Sequence, residues 1–396
     1  MKQTKPPKNS GAKVSFTRKN KNGKRTLTNF GKTVVICSSV VLFLVIAIIV
    51  SVNMLIGYYY GLMGYVDVDK QTLMNEDEIS KYLASIEETD PTVTNTHNEN
   101  EFNNEVDNNI GQLENEKEEI KGIINILLIG VDNSGVADDN TGYATRQNTD
   151  SMIVVSINPS KKRIVLTSLL RDSAVKIQMQ NGEYTTNRLN TAYVYGGYKE
   201  MFATIDRNFN IKTDRFVQVD FSSFVDIVTL VGGVDIYVTR AEAVEMNNVM
   251  EGINEVFGHT KNADKLSSTS EGVKHLNGKQ ALAYSRIRYN TGSDFGRTDR
   301  QRKLILAVAD KIKTLGVGEI NQLLTTMLSK VTTNLTQSEC TSLISSALTY
   351  LSYDMESMRI PSDGTYEDAT VGGRKDLLLV SFVDNYKKWK ELVTGD

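Results

Sequence analysis

Five of the sixteen arginines in this 396-residue chain fall within the stretch ALAYSRIRYNTGSDFGRTDRQRKL, residues 281–304: Arg286, Arg288, Arg297, Arg300 and Arg302. No lysine stands between Lys279 and Lys303. A guanidinium carries its donors in a rigid fork that matches two oxygens of one phosphate, and it cannot lose its charge. If a helix runs through Arg297, then Arg300 and Gln301 follow at three and four residues and share its face. Such a surface offers two cations and an amide to an anion, whereas the plainer reading is a solvated basic face offset by Asp294 and Asp299. Arg171 and Asp172 close an apolar run, where active-site groups of α/β sheets commonly project, and Arg188 precedes a helical pattern. Asp132 and Asp150 also stand at the ends of apolar runs, with the hard oxygen ligands that Mg²⁺ prefers, although a strand-end Asp is commonly a cap or turn residue. Arginines plus carboxylates suggest a phosphate and metal site. The histidines are His97, His259 and His275, and Cys340 is the cysteine outside the apolar stretch that holds Cys37. These counts argue against a zinc site, an internal disulfide and, unless His259 or His275 supplies the base, a Ser-His-Asp triad.

The elements that must hold these groups alternate between periods of two and of 3.6. INILLIGVD, ending at Asp132, reads as a buried strand with a polar group at its end. Residues 150–157 and 163–169 read as a hairpin about Asn158, Pro159 and Ser160. Residues 189–209 and 221–231 read as helices, and 215–219 and 234–238 as strands. Farther on, helices are expected at 277–287, 297–315, 318–331, 338–350 and 375–393, with a strand near 358–360. This is the pattern of an α/β domain, and no internal repeat interrupts it.

Charge divides the rest of the chain. The first 32 residues carry ten Lys or Arg and no acid, and read as a basic arm. Residues 33–57 carry no charge and are long enough for a helix of roughly 37 Å, against a hydrocarbon core of roughly 30 Å. Tyr58, Tyr59 and Tyr60 follow where an interfacial aromatic belt would sit, in place of a signal-peptide cleavage site. The charge step places the N-terminus in the cytoplasm and the remainder outside a cell membrane, as a single-pass protein. Residues 58–121 are acidic, with a net charge of −12 between Asp67 and Lys121, and read as an extracytoplasmic spacer with helical stretches near 77–87 and 109–121. The domain proper then begins at residue 122. Its net charge of −1 gives no bulk reason to expect nucleic-acid binding.

The motifs INILLIGVD, NTDSMIVVSINP, LLRDS, RLNTAYVYGG, LVGGVDIYV, LNGKQALAYSRIR and DFGRTDRQ, in that order, resemble the LytR-CpsA-Psr family over residues 122–394. The resemblance implies an α/β/α sandwich around a mixed β-sheet, with a long apolar pocket for a polyprenyl chain. It implies Mg²⁺-assisted transfer of a phosphoglycosyl polymer, such as a teichoic acid or capsule, from polyprenyl pyrophosphate to peptidoglycan. Carried over by position, Asp132 and Asp150 would hold the metal. Arg171, Arg188, Arg286, Arg288, Arg297 and Gln301 would contact the pyrophosphate, with Arg146 and Arg300 as further candidates for the same contact. Arg171, Asp172, Arg286 and Arg288 are then the candidate catalytic residues, with Asp172 or Asp150 to orient or deprotonate the acceptor hydroxyl. Two departures stand out: the family often has Arg two residues before the second Asp, where this chain has Asn148 with Arg146 two residues earlier still. Arg188 replaces the family's usual Lys. The tail pocket is expected along Phe221, Phe224, Ile227, Val228 and Val231, residues that could equally be ordinary core. Two other functional readings are open: hydrolysis of the same pyrophosphate, and a membrane-tethered polymer-binding or regulatory protein with no turnover.

Overall fold

A computed structural model describes residues 17–19, 25–27, 54–86, 92–118, 120–131, 149–267, 271–288 and 293–395. The expected span, residues 33–57, falls almost wholly outside them, as do Asp132 and Arg146. Among the described residues no helix is long and apolar enough to cross a membrane. The chain forms two units, Met1–Tyr58 and Tyr59–Asp396. In the first, β1 (Thr17–Lys19) pairs antiparallel with β2 (Arg25–Leu27).

The second unit is built on a seven-stranded mixed sheet. Its strands are β3 (Gly64–Tyr65), β4 (Ile124–Val131), β5 (Thr149–Asn158), β6 (Arg163–Leu169), β9 (Phe216–Asp220), β12 (Val331–Thr333) and β13 (Asp354–Ile360), in the order β13-β6-β5-β4-β9-β12-β3. β4, β5 and β6 form an antiparallel meander, while β4 pairs parallel with β9 and β6 parallel with β13. Because successive side chains alternate faces, the apolar runs supply two cores at once. Leu127, Ile129, Val131, Met152, Val154 and Val165 enter the main core; Ile153, Ile157, Ile164 and Leu166 enter a second one on the opposite face. Helices α3 (Ala192–Phe209) and α10 (Phe382–Thr394) cover the first face, where Trp389 Nε1 donates to Ser156 Oγ at 3.2 Å. Ile305 and Leu306 of α7 (Ser293–Ile312) cover the second. A third core joins α4 (Phe221–Leu230), α5 (Arg240–Val256) and α6 (Gly278–Arg286) to the hairpin of β10 (Val234–Val238) and β11 (Gly272–Leu276). The α4–α6 contact needs Gly278, where a Cβ would lie 2.2 Å from the Val225 carbonyl oxygen.

Two expectations change. The acidic segment 58–121 is more than a spacer: α1 (Glu76–Ile86) and α2 (Glu99–Glu116) carry Ile79, Phe102, Val106 and Leu113 into the main core. Gln71 Oε1 also accepts from Tyr198 N at 3.1 Å where Gly196 and Gly197 kink α3; Gly197 has φ 66°, and a Cβ there would meet Gln71. The helix expected over 375–393 is instead β15 (Arg374–Val380) followed by α10, with β15 folded back on β14 (Tyr366–Val371) through Gly372 and Gly373, both at positive φ. A further hairpin, β7 (Ala174–Gln178) with β8 (Tyr184–Arg188), lies where the sequence shows no clear alternation. α8 (Val317–Leu328) and α9 (Gln337–Tyr350) occupy their expected places.

Candidate active site

Arg171 and Asp172 sit in the turn between β6 and β7, and their carbonyls are fixed by the backbone of other elements. Leu378 N donates to Asp172 O at 2.9 Å, and Asn190 N to Arg171 O at 3.4 Å. Arg188, the last residue of β8, donates to the Lys375 carbonyl at 2.6 Å. Its Nε lies 3.3 Å from Asp172 Oδ1. From the far side, the first turn of α7 brings Asp294, a position where the helix dipole favours an acid.

Asp294 and Asp172 together gather four guanidinium groups. Arg171 Nε lies 3.3 Å from both Asp172 Oδ2 and Asp294 Oδ2. Arg297 Nη2 is 3.3 Å from Asp294 Oδ2, and Arg288 Nε is 4.0 Å from Asp294 Oδ1. Arg297 is buried, whereas Arg288 is exposed at the mouth. Four cations against two carboxylates leave the cluster positive, as a pyrophosphate requires. Burial pushes the Asp172 carboxyl up to about 6; neighbouring Asp294 adds to the rise, and Arg171 and Arg188 oppose it. Against its own burial, Arg297, Arg171 and the hydrogen bond from Asp172 hold Asp294 below the usual carboxylate range. Of the pair, Asp172 is therefore the first to take up a proton as pH falls, and Asp294 stays charged to lower pH.

One turn beyond Arg297, the amide oxygen of Gln301 accepts from Ser151 Oγ at 3.0 Å. This contact ties α7 to the end of β5, the strand that contains Asp150. There the ladder shifts register between Gly130 and Val131, and Val131 pairs with Thr149. Asp132 follows Val131 in the sequence.

The LytR_cpsA_psr family profile matches residues 80–380, a stretch that holds the arginine cluster and nearly all of the sheet behind it. The chain belongs to the LytR_cpsA_psr family. Biofilm regulatory protein A of Streptococcus mutans serotype c is 33% identical over 221 residues, covering 54% of this chain and 51% of that protein. A Bacillus cereus protein named polyisoprenyl-teichoic acid–peptidoglycan teichoic acid transferase TagU is 30% identical over 243 residues, 61% of this chain and 69% of that protein. The chain thus spans about half the length of the first relative and about two thirds of the second. Protein gbs0355 from Streptococcus agalactiae has a crystal structure that superposes with a TM-score of 0.56 at 26% identity, covering 71% of this chain and 90% of that one. The α/β architecture with its mixed sheet is the fold that this chain shares with that structure.

Within this LytR_cpsA_psr domain, Arg171, Asp172, Arg188, Arg288 and Arg297 are brought together, and Gln301 stands beside the strand of Asp150. Arg300 and Arg286 point elsewhere. Arg300 is buried, donates to the Ile287 carbonyl at 2.6 Å and pairs with Glu242 at 3.5 Å, so it braces the α6–α7 connection. Arg286 lies 4.5 Å over the Phe221 ring, in a cavity of about 190 Å³ shared with Asp220, Ile253, Phe257 and Leu282. Of the expected tail-pocket residues, Phe221 lines this cavity, while Ile227, Val228 and Val231 are buried. Asp294 is more than the charge offset that its sequence neighbourhood suggests; its signal is an acid three residues before Arg297 at a helix start.

Proposed function

We propose that this protein transfers a glycopolymer from a polyprenyl pyrophosphate carrier to peptidoglycan, working outside a cell membrane to which residues 33–57 anchor it. The observation that carries this reading is the cluster of Arg171, Arg188, Arg288 and Arg297 around Asp172 and Asp294. The name of the Bacillus cereus relative supports the same substrate pair.

In this reading the acceptor hydroxyl oxygen attacks the polymer-bearing phosphorus in line with the pyrophosphate bridge. The bond to the bridging oxygen breaks, and polyprenyl phosphate departs with the electron pair. Asp172 takes the hydroxyl proton: a carboxylate raised to about 6 is basic enough to accept it and still ionised near neutral pH. Arg171, Arg297 and Arg288 stabilise the charge that gathers on the leaving phosphate, and Asp294 holds them in place. Asp172 and Asp294 are engaged by guanidinium groups and do not suit a metal. Asp150, a residue of β5 at the register shift, and Asp132, which lies outside the described residues, carry the hard carboxylate oxygens that would hold Mg²⁺. When bound, Mg²⁺ would neutralise phosphate charge beside the arginines. Full turnover in EDTA would remove the metal from this account.

The arginine cluster is tested by substitution. Arg171→Ala, Arg288→Ala and Arg297→Ala should each slow acceptor-dependent transfer by about tenfold to a hundredfold, from the roughly 1.5–3 kcal/mol of a charge-assisted contact. The Lys variants should fall between, because they keep charge and lose the fork. Near-normal rates in all three Ala variants, with folding verified by thermal melting, would return the cluster to a structural role.

A further inference from the structure

The β7–β8 hairpin connects the catalytic cluster to a second polar cleft. Ala174 pairs with Arg188, Lys176 with Thr186 and Gln178 with Tyr184, so alternation puts Arg188, Thr186, Tyr184 and Lys176 on one face. Arg188 ends that row beside Asp172; Tyr184 lies four residues away, about 13 Å at roughly 3.3 Å per residue. Across from the hairpin, α2 presents Glu99, Asn103 and Asp107 at four-residue spacing, and β15 contributes Arg374. Together with Lys176, Tyr184, Thr185 and Thr186 they line a cleft of about 240 Å³.

The lining is chemically mixed. Lys176 pairs with Asp107, and Arg374 lies 3.9 Å from Glu99, so the two cations and two acids are matched. A polyanionic phosphodiester chain would need unmatched cations, as in the arginine cluster, and this cleft supplies none in excess. It offers instead hydroxyl, amide, carboxylate and ammonium groups beside an aromatic ring that is 48% exposed. Donors and acceptors of both kinds suit the hydroxyl and amide groups of a neutral N-acylated sugar; Lys176 and Arg207 lie over the Tyr184 ring, 5.3 and 5.0 Å from its centroid, and the part of the ring that stays exposed offers a surface for the C–H face of that sugar.

We infer that this cleft is a saccharide subsite that holds the N-acetylated acceptor glycan, with Arg188 and Asp172 at its reacting end. The inference rests on the transferase reading, which makes a glycan the acceptor. A chain laid along β8 would carry its free hydroxyl toward Asp172, the group assigned to take the proton.

The test uses the full chain in detergent micelles, with an N-acetylglucosamine tetramer as neutral probe and poly(glycerol phosphate) as anionic probe. The wild-type protein should bind the tetramer, and Tyr184→Ala and Asn103→Ala, on opposite walls, should each weaken that binding by about fivefold to tenfold. Binding of poly(glycerol phosphate) should be unchanged in both. In transfer assays the acceptor KM should rise in both variants while the donor KM holds. Unchanged tetramer affinity in both variants, or an equal loss of affinity for the anionic probe, would overturn the assignment. Because binding is read without turnover, selective loss of the tetramer would support the subsite even if no transfer were detected, a result that would count against the transferase reading alone.

Discussion

In the proposed transfer Asp172 takes the hydroxyl proton, and its protonation sets a pH profile. With its carboxyl raised to about 6, the basic form is scarce below that pH and dominant above it. Transfer should therefore climb as pH rises through about 6, and Asp172→Asn should lower the rate at every pH and remove that limb; a rate independent of pH between 5 and 8 in the unmutated protein would contradict the role. Arg300 should behave oppositely to its neighbours. Arg300→Ala leaves Glu242 and the Ile287 carbonyl without their buried donor, so it should lower the melting temperature by the equivalent of roughly 1–3 kcal/mol, with no catalytic loss beyond that from unfolding. The sequence made the arginines visible because residue type alone carries the chemistry of the fork. It misplaced Arg300 because steps of three and four along a helix point about 100° apart, enough to send Arg300 and Gln301 to different partners. Asp294 was hidden for a related reason: a carboxylate that organises arginines and one that merely offsets them have the same spacing.

At the scale of elements, the strands β4, β5 and β6 were legible as apolar runs, since a sheet covered on both faces needs both sides of each strand apolar, and β10 by its alternation of buried and exposed residues. β15 was not, because the run ending in Leu377, Leu378, Leu379 and Val380 fits either period over so short a length. The Gly372–Gly373 pair was the available sign of a tight turn before it. The β7–β8 hairpin carries Lys, Gln, Tyr, Thr and Asn, and its face was set by tertiary neighbours rather than by hydrophobic alternation. The acidic helices α1 and α2 were undervalued because net charge describes their solvated faces, while Phe102, Val106 and Leu113 form a sparse stripe that composition averages away. Cutting the chain at residue 122 should therefore cost stability, at roughly 1.5–3 kcal/mol for each of those side chains removed from the core. Residues 122–396 should melt well below residues 59–396 in the same buffer. Equal melting temperatures would mean that α2 contributes nothing to the core.

Across the whole molecule, charge is divided unevenly along the sequence. A basic arm and an uncharged stretch come first, then acidic helices, then a nearly neutral domain in which five of the chain's sixteen arginines fall within residues 281–304. That distribution is in keeping with the proposed transfer from an anionic lipid-linked donor to a glycan acceptor. The direct measurement is to incubate the full chain with Mg²⁺ and a synthetic polyprenyl-pyrophosphate glycan, with and without peptidoglycan fragments, and to follow polyprenyl monophosphate and polymer-linked glycan by mass spectrometry. The account predicts that both products form together and only when acceptor is present, and that Arg171→Ala suppresses both. Cleavage of the pyrophosphate at the same rate without acceptor would make the protein a hydrolase, and binding of the donor with no cleavage in any mixture would contradict catalysis altogether.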